Sequence, residues 1–250
     1  MEKGIEVVGI LGYGEIGSSI ERICEKKYRV TVQDPKLGKK FSENFQVMHV
    51  CIRIPEPEKF VDIVSEAILQ YKPKLTIIES TLPIGTTRKI AEKTKAAVVH
   101  SPCRGVHPNL AEGILTFEKF VGAVEKKDAE KAARYYNSLG IKTEVFDSPE
   151  DTEAAKILST TYYMANVIFC KEVAKLCKEH NLNFEQVYSI SNETYNKGYG
   201  KLGMKHVRRP VLNAMPGKVG GHCLRPNLDM LNKFTDKKYF KMFEELDESY

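Results

Sequence analysis

Apolar residues follow two rhythms along this chain. Up to about residue 147, short β-branched runs alternate with stretches in which apolar side chains return every three or four positions. The runs Ile5–Leu11, Arg29–Gln33, Val47–Ile52, Leu75–Ile78, Ala96–Val99, Phe120–Val124 and Thr143–Phe146 read as strands. Ser18–Lys27, Phe60–Tyr71 and Asp128–Leu139 read as helices between them. Alternation of this kind predicts an α/β fold, a doubly wound parallel sheet of Rossmann type with helices on both faces.

The rhythm changes at Ser148-Pro149-Glu150-Asp151. Ser148 suits an N-cap, Pro149 the first helical position, and Asp151 completes an acidic first turn. From Thr152 to His180 the pattern reads as one helix, far longer than the usual three turns. Shorter helices and a Gly/Pro-punctuated tail follow, without further strands. The expected organisation is an α/β domain over residues 1–147 and an all-helical domain over 148–250. Tyr162, Tyr163, Met164, Val167, Ile168, Phe169, Val173, Leu176 and Cys177 make the long helix apolar on more than one face, which predicts a homodimer joined through residues 152–180.

Bulk composition narrows the class without deciding it. At 250 residues, 42% hydrophobic and 28% charged, the chain is an ordinary globular one. The net charge of +5 is dispersed among interleaved lysines and glutamates, which excludes a nucleic-acid binder with a clustered basic face and favours a small anionic ligand. No apolar run approaches the roughly 18 residues that cross a bilayer, and no signal-peptide core precedes the first strand. The six cysteines form no CxxC pair or close framework, as expected of free thiols in a reducing cytoplasm.

Where the first strand meets the first helix stands Gly12-Tyr13-Gly14-Glu15-Ile16-Gly17. The first glycine permits a tight turn, the second lets a pyrophosphate reach the backbone, and the third lets helix and strand pack closely. The helix N-terminus then offers unpaired N–H groups to the phosphates. Asp34, closing the second strand, is placed to accept from a ribose 2′-hydroxyl, which favours NAD over NADP although Lys36, Lys39 and Lys40 follow closely.

Near the other end lies Val219-Gly220-Gly221-His222-Cys223-Leu224. A lone cysteine is by default an inert buried thiol. Here Gly220 and Gly221 give a substrate close access to the backbone, and His222 stands beside the thiol, so Cys223 is a candidate nucleophile. Lys156, set between Ala154-Ala155 and Ile157-Leu158, is expected to be partly buried. Arg104, Arg208, Arg209 and Arg225 are candidates for gripping an anion. The spacing of His100, Cys103, His107 and His222 matches no standard zinc pattern, so no metal is expected.

Several of these runs together resemble the UDP-glucose/GDP-mannose 6-dehydrogenase family. Glu79-Ser80-Thr81-Leu82-Pro83-Ile84-Gly85-Thr86-Thr87 resembles the family's loop after the fourth strand. Val219–Cys223 resembles its catalytic-cysteine motif, and the helix carrying Lys156 its central, dimer-forming helix. The resemblance implies oxidation of a sugar C6 alcohol to a carboxylate with two NAD. It implies that Cys223 attacks the intermediate aldehyde to give a thiohemiacetal and then a thioester, that Lys156 stabilises the oxyanion, and that Thr81 lies near the nicotinamide. Three positions depart from the family pattern: Cys103 stands where Glu is usual, Thr160 where Asn is, and Asn227 where an Asp orders the catalytic water. An amide takes no proton near neutral pH. The chain is also expected to lack the family's third, nucleotide-clamping domain.

The leading expectation is thus an NAD-dependent oxidoreductase acting on an alcohol of a small, anionic or sugar-like substrate. A two-electron dehydrogenase of the β-hydroxyacid type, which also uses a helix lysine, is the alternative. A catalytically silent NAD-binding protein, or one whose missing domain comes from another chain, is the contrasting class.

Overall fold

The computed structural model describes residues 5–53, 56–105, 109–220 and 223–250. The chain divides into two compact units, Met1–Lys156 and Ile157–Tyr250. The division falls inside the long helix rather than at Ser148, because the first turns of that helix bond to the α/β unit: the Thr152 hydroxyl meets His100 Nδ1 at 2.8 Å.

Among the described residues the first unit is built on seven strands, β1 (Val7–Leu11), β2 (Arg29–Gln33), β3 (Val47–Val50), β4 (Leu75–Ile78), β5 (Val98–His100), β6 (Lys119–Ala123) and β7 (Thr143–Val145). They lie in the order β2-β1-β3-β4-β5-β6-β7. Between them run α1 (Glu15–Cys24), α2 (Pro57–Tyr71), α3 (Thr86–Thr94), α4 (Leu110–Thr116) and α5 (Lys126–Ser138). Successive residues of β1 serve opposite faces, as strand geometry requires. Val8 and Ile10 pack with α1, α4 and α5 residues Ile20, Ile114 and Tyr136. Val7 and Leu11 pack with α2 and α3 residues Phe60, Val64 and Ile90.

The sheet is not wholly parallel: β6 runs antiparallel to β5, while β6 and β7 are parallel to each other. For right-handed crossovers, reversing the strands puts the connecting helix on the opposite face. Accordingly α5 joins α1 in one core cluster and leaves the other face to α2 and α3.

The long helix α6 spans Pro149–Glu179. Ser148 caps it as expected, its Oγ accepting from Asp151 N at 3.2 Å and donating to the Asp151 carboxylate at 2.8 Å. The second unit adds α7 (Ser191–Lys201), preceded by a π-helical segment, then α8 (Leu224–Phe234) and α9 (Lys238–Glu248). Its core joins Met164 and Ile168 of α6 to Leu228 of α8 and Phe243 of α9. Among the described residues no helix is long and apolar enough to cross a membrane.

Candidate functional site

The order of strands puts a topological switch between β1 and β3, since the chain leaves β1 toward β2 on one side and returns to β3 on the other. Crevices outside the carboxyl ends of strands at such a point are where α/β sheets take ligands. The glycine turn lies there. Gly12 has φ of +94°, and a Cβ on it would stand 2.7 Å from Ile52 Cγ2 and 2.9 Å from the Cys51 backbone. A Cβ on Gly17 would stand 2.1 Å from Gly12 O, so this position needs glycine for helix and turn to touch. Gly14 differs: a Cβ there meets nothing within 4 Å, and no side chain caps the α1 N-terminus that it begins. The two packing glycines hold the turn, and the third leaves open the space where phosphate oxygens would meet helix N–H groups.

Asp34 sits at the tip of β2, its Oδ2 accepting from Tyr13 N at 2.7 Å and its Oδ1 from Lys36 N at 2.9 Å. The Tyr13 N–H, followed by that of Lys36, holds the carboxyl below the usual carboxylate range. Lys39 Nζ lies 3.9 Å from the Tyr13 ring centroid, and Glu15 and Ile16 begin α1. The residues expected to form a dinucleotide cradle are therefore brought together, and they fit such a ligand by shape and by donor supply.

Thr81 lies partly buried in the loop after β4. This loop is held at its far end by a residue that sequence reasoning passed over. Glu153 of α6 accepts from Gly85 N at 2.6 Å, Thr87 N at 2.9 Å and Thr87 Oγ1 at 2.6 Å. It acts as a cap supplied from another helix, since α3 has no side-chain cap of its own. Burial pushes the Glu153 carboxyl up to about 7, against the pull of its three donors. Lys156, one turn further on, is half-buried and donates to Cys103 O at 2.8 Å.

Beneath these loops lies a second unforeseen group. Lys119, Glu79 and His49 are all fully buried. Lys119 Nζ donates to Glu79 Oε2 at 2.6 Å and to Ser101 O at 3.0 Å, tying the loop after β4 to the loop after β5. The other Glu79 oxygen takes His49 Nδ1 at 2.9 Å and the Tyr136 hydroxyl at 2.6 Å. Burial alone would raise Glu79, but Lys119 and His49 bring it down to about 2. The one available signal was His49, a polar residue inside an apolar strand buried on both faces.

In the second unit Cys223 is exposed, at the N-cap of α8. The default of an inert buried thiol does not describe it. Asn227 is buried and donates through Nδ2 to Thr160 Oγ1 at 2.9 Å. Gly220 is described, with open space where a Cβ would stand. Gly221, His222 and His107 lie outside the described residues.

The arginines expected to grip an anion are differently engaged. Arg225 donates to Asp229 at 2.9 Å, Glu244 at 2.7 Å and Glu248 at 2.8 Å, so carboxylates of its own unit already surround its fork. Arg104 stacks over Phe120 and donates to Glu118 O. Arg209 lies over the Tyr195 ring at 3.5 Å, and Asn196 holds its backbone at both N and O. Arg208 lines a hollow of about 510 Å³ with Lys197 and Lys205.

Residues 150–248, which include both Lys156 and Cys223, match the model of the UDP-glucose/GDP-mannose dehydrogenase family, central domain. The chain belongs to the UDP-glucose/GDP-mannose dehydrogenase family. A UDP-N-acetyl-D-mannosamine dehydrogenase of Methanococcus maripaludis is 31% identical over 192 residues, 74% of this chain and 41% of the relative. The chain thus spans about two fifths of that curated relative. The solved structure of a UDP-D-ManNAc dehydrogenase from Pyrococcus horikoshii superposes with a TM-score of 0.77 over 97% of this chain and 68% of that one. At 20% identity this is a likeness of fold. A 3-hydroxyisobutyrate dehydrogenase from Mycobacterium tuberculosis shares the fold at a TM-score of 0.66 and 15% identity, over 92% of this chain and 87% of that one.

Proposed function

We propose that this chain binds NAD at the β1/β3 switch and oxidises an alcohol of a nucleotide-linked sugar through a covalent intermediate on Cys223. The reading is supported by the family match over 150–248, a stretch that contains Lys156 and Cys223, together with a glycine turn open at Gly14. Bound NAD would supply the hydride acceptor for both oxidations. Cys223 adds to the aldehyde carbon as thiolate, and Lys156 is assigned the oxyanion. After the second hydride leaves, water releases the acid and the thiol returns. One alcohol, two NAD and one water become one carboxylate, two NADH and three protons.

Asn227 shapes the last step. With an amide in place of a general base, hydrolysis of the thioester is the slow stage, and the acyl group accumulates on Cys223. The chain acts as a homodimer in this reading. Leu158, Tyr162, Phe169 and Leu176 are 42%, 69%, 63% and 48% exposed at spacings of four and seven along α6, a seam suited to a second copy. Free thiols fit a cytoplasmic setting.

The test mixes the protein with NAD and UDP-N-acetyl-D-mannosamine, following NADH absorbance and the mass of the chain. A burst of two NADH per chain, with an acyl adduct on Cys223, supports the reading. Asn227→Asp should then raise steady turnover ten-fold or more. If Cys223→Ser leaves both stoichiometry and rate unchanged, covalent oxidation is wrong. One NADH per turnover would favour the two-electron reading, to which the missing base at Asn227 and the hydroxyacid-dehydrogenase fold both point. NAD binding without turnover of any alcohol would favour the silent binding protein.

A further inference from the structure

The segment that carries Cys223 is fastened on both sides by the last turn of α9. Asp247 is buried, 2% exposed, at the end of that helix. Its Oδ1 accepts from Val219 N at 2.6 Å, four residues before the thiol. Its Oδ2 faces Arg225 NH1 at 3.5 Å, two residues after it. A single carboxylate therefore spans the glycine-rich segment. Neighbouring charges repeat the arrangement: Glu248 pairs with Lys218 on one side and with Arg225 at 2.8 Å on the other.

The lead-in to the segment has its own anchor. Lys171 of α6 is 7% exposed and donates to Met215 O at 2.5 Å and to Gly217 O. Its ammonium lies 4.5 Å from the Tyr250 ring centroid, and the Tyr250 hydroxyl donates to Glu172 at 2.7 Å. α9 is itself held by Phe243, which packs with Met164, Ile168 and Leu228. A buried carboxylate left without its donors is costly, so these contacts favour one arrangement of the backbone on either side of the thiol. Gly220 has no side chain within reach of a neighbour, so the fastening of this segment has to come from elsewhere.

We propose that Asp247 is a positioning residue for Cys223, holding the thiol segment in its reactive geometry from the C-terminal helix, with Lys171 as its counterpart on the lead-in. This deepens the reading of Cys223 as nucleophile and rests on it. Productive placement of a nucleophile is sensitive to displacements of about 1 Å, which can cost about a hundred-fold in rate.

The test compares the full chain with Asp247→Ala and Asp247→Asn. Turnover is measured with NAD and UDP-N-acetyl-D-mannosamine, and amide hydrogen exchange by mass spectrometry. Asp247→Ala is expected to lower kcat ten-fold or more, to leave KM for NAD within two-fold, and to speed exchange in peptides covering 214–226 alone. Asp247→Asn retains an acceptor for Val219 N and should recover most of both readouts, so the idea stays testable if the alanine variant fails to fold. Unchanged kcat and unchanged local exchange in the alanine variant would overturn the proposal. Faster exchange throughout 157–250 would also overturn it, as the mark of a general packing role. The exchange readout does not depend on turnover. Local loosening in a protein that oxidises nothing would retire the catalytic reading and leave the fastening intact.

Discussion

Two buried groups of the first unit, His100 and Glu153, should cancel each other in the pH dependence of stability. His100 is fully buried, with Nε2 at 3.1 Å from Ser80 O. Burial pushes it down to about 3 from an ordinary 6.5, with Lys119 acting in the same direction. Glu153, also fully buried, is pushed up to about 7 from an ordinary 4.5. Between about pH 5 and pH 6, unfolding therefore lets His100 take up a proton and makes Glu153 release one. Each exchange is worth about 1.4 kcal/mol per pH unit, with opposite sign. The Glu153 contribution is fully present below 4.5 and is lost as pH rises through about 7; the His100 penalty is largest below 3 and disappears by 6.5. Glu79, held at about 2, and His49, held up at about 9 by Cys24 and then Glu79 against the burial that would lower it, change protonation outside the window.

The wild-type unfolding free energy should thus be nearly flat between about pH 5 and pH 6. Glu153→Gln keeps an acceptor for the Gly85 and Thr87 donors but removes one side of the balance. Its stability should rise with pH by about 1.4 kcal/mol per unit, while that of His100→Asn should fall at the same rate. Urea unfolding followed by far-UV circular dichroism across the window gives the three slopes. A Glu153→Gln slope equal to the wild type would show that Glu153 is ionised in the folded state throughout, and the reasoning from burial would fail.

Three further outcomes concern the glycine turn and the exposed face of α6. Gly14→Ala should leave the melting temperature within about 2 °C yet weaken NAD binding ten-fold or more by calorimetry, because its Cβ points into open space; Gly17→Ala should lose stability by several kcal/mol, because its Cβ would meet Gly12 O at 2.1 Å. If the proposed homodimer forms through α6, replacing Tyr162 and Phe169 together by Glu should give a monomer in light scattering, with the circular dichroism spectrum unchanged, since both side chains are more than 60% exposed.

Most strands were legible because they are short apolar or β-branched runs between turn residues, and the glycine turn because its three positions follow a fixed spacing. The helix α3 was not, since Ile90 is the only apolar residue it fully buries and the rest of Thr86–Thr94 reads as a loop. Reversal of β6 leaves no trace in a pattern of apolar positions, which records burial and not direction. The buried ionic group failed to register for a different reason. Glu79 and Lys119 each stand at the edge of an apolar run, where a charge ordinarily faces water, and only folding brings them within 2.6 Å. Arg225 is the same lesson reversed: a cation next to a candidate nucleophile suggested an anionic ligand, but Asp229 one turn on and Glu244 and Glu248 of α9 take it.

The departures from the family pattern at Thr160 and Asn227 lie far apart in sequence, and read separately they suggest two independent injuries. The structure joins them. Asn227 Nδ2 donates to Thr160 Oγ1 at 2.9 Å, and Thr160 Oγ1 in turn lies 2.8 Å from Ile157 O as donor. A lone amide substituted into a buried site built for a carboxylate would leave donors facing donors, at a cost of about 1–3 kcal/mol for each group left unpaired. Here the amide has an acceptor waiting for it, so the pair packs as a neutral hydrogen-bonded unit. The second unit need not be loosened by the change. In the proposed reaction, what the substitution removes is the ionisable group that would speed thioester hydrolysis. That is why the expected deficiency is confined to release of the acyl group from Cys223, and why restoring a carboxylate at Asn227 is a sharper test than restoring either contact.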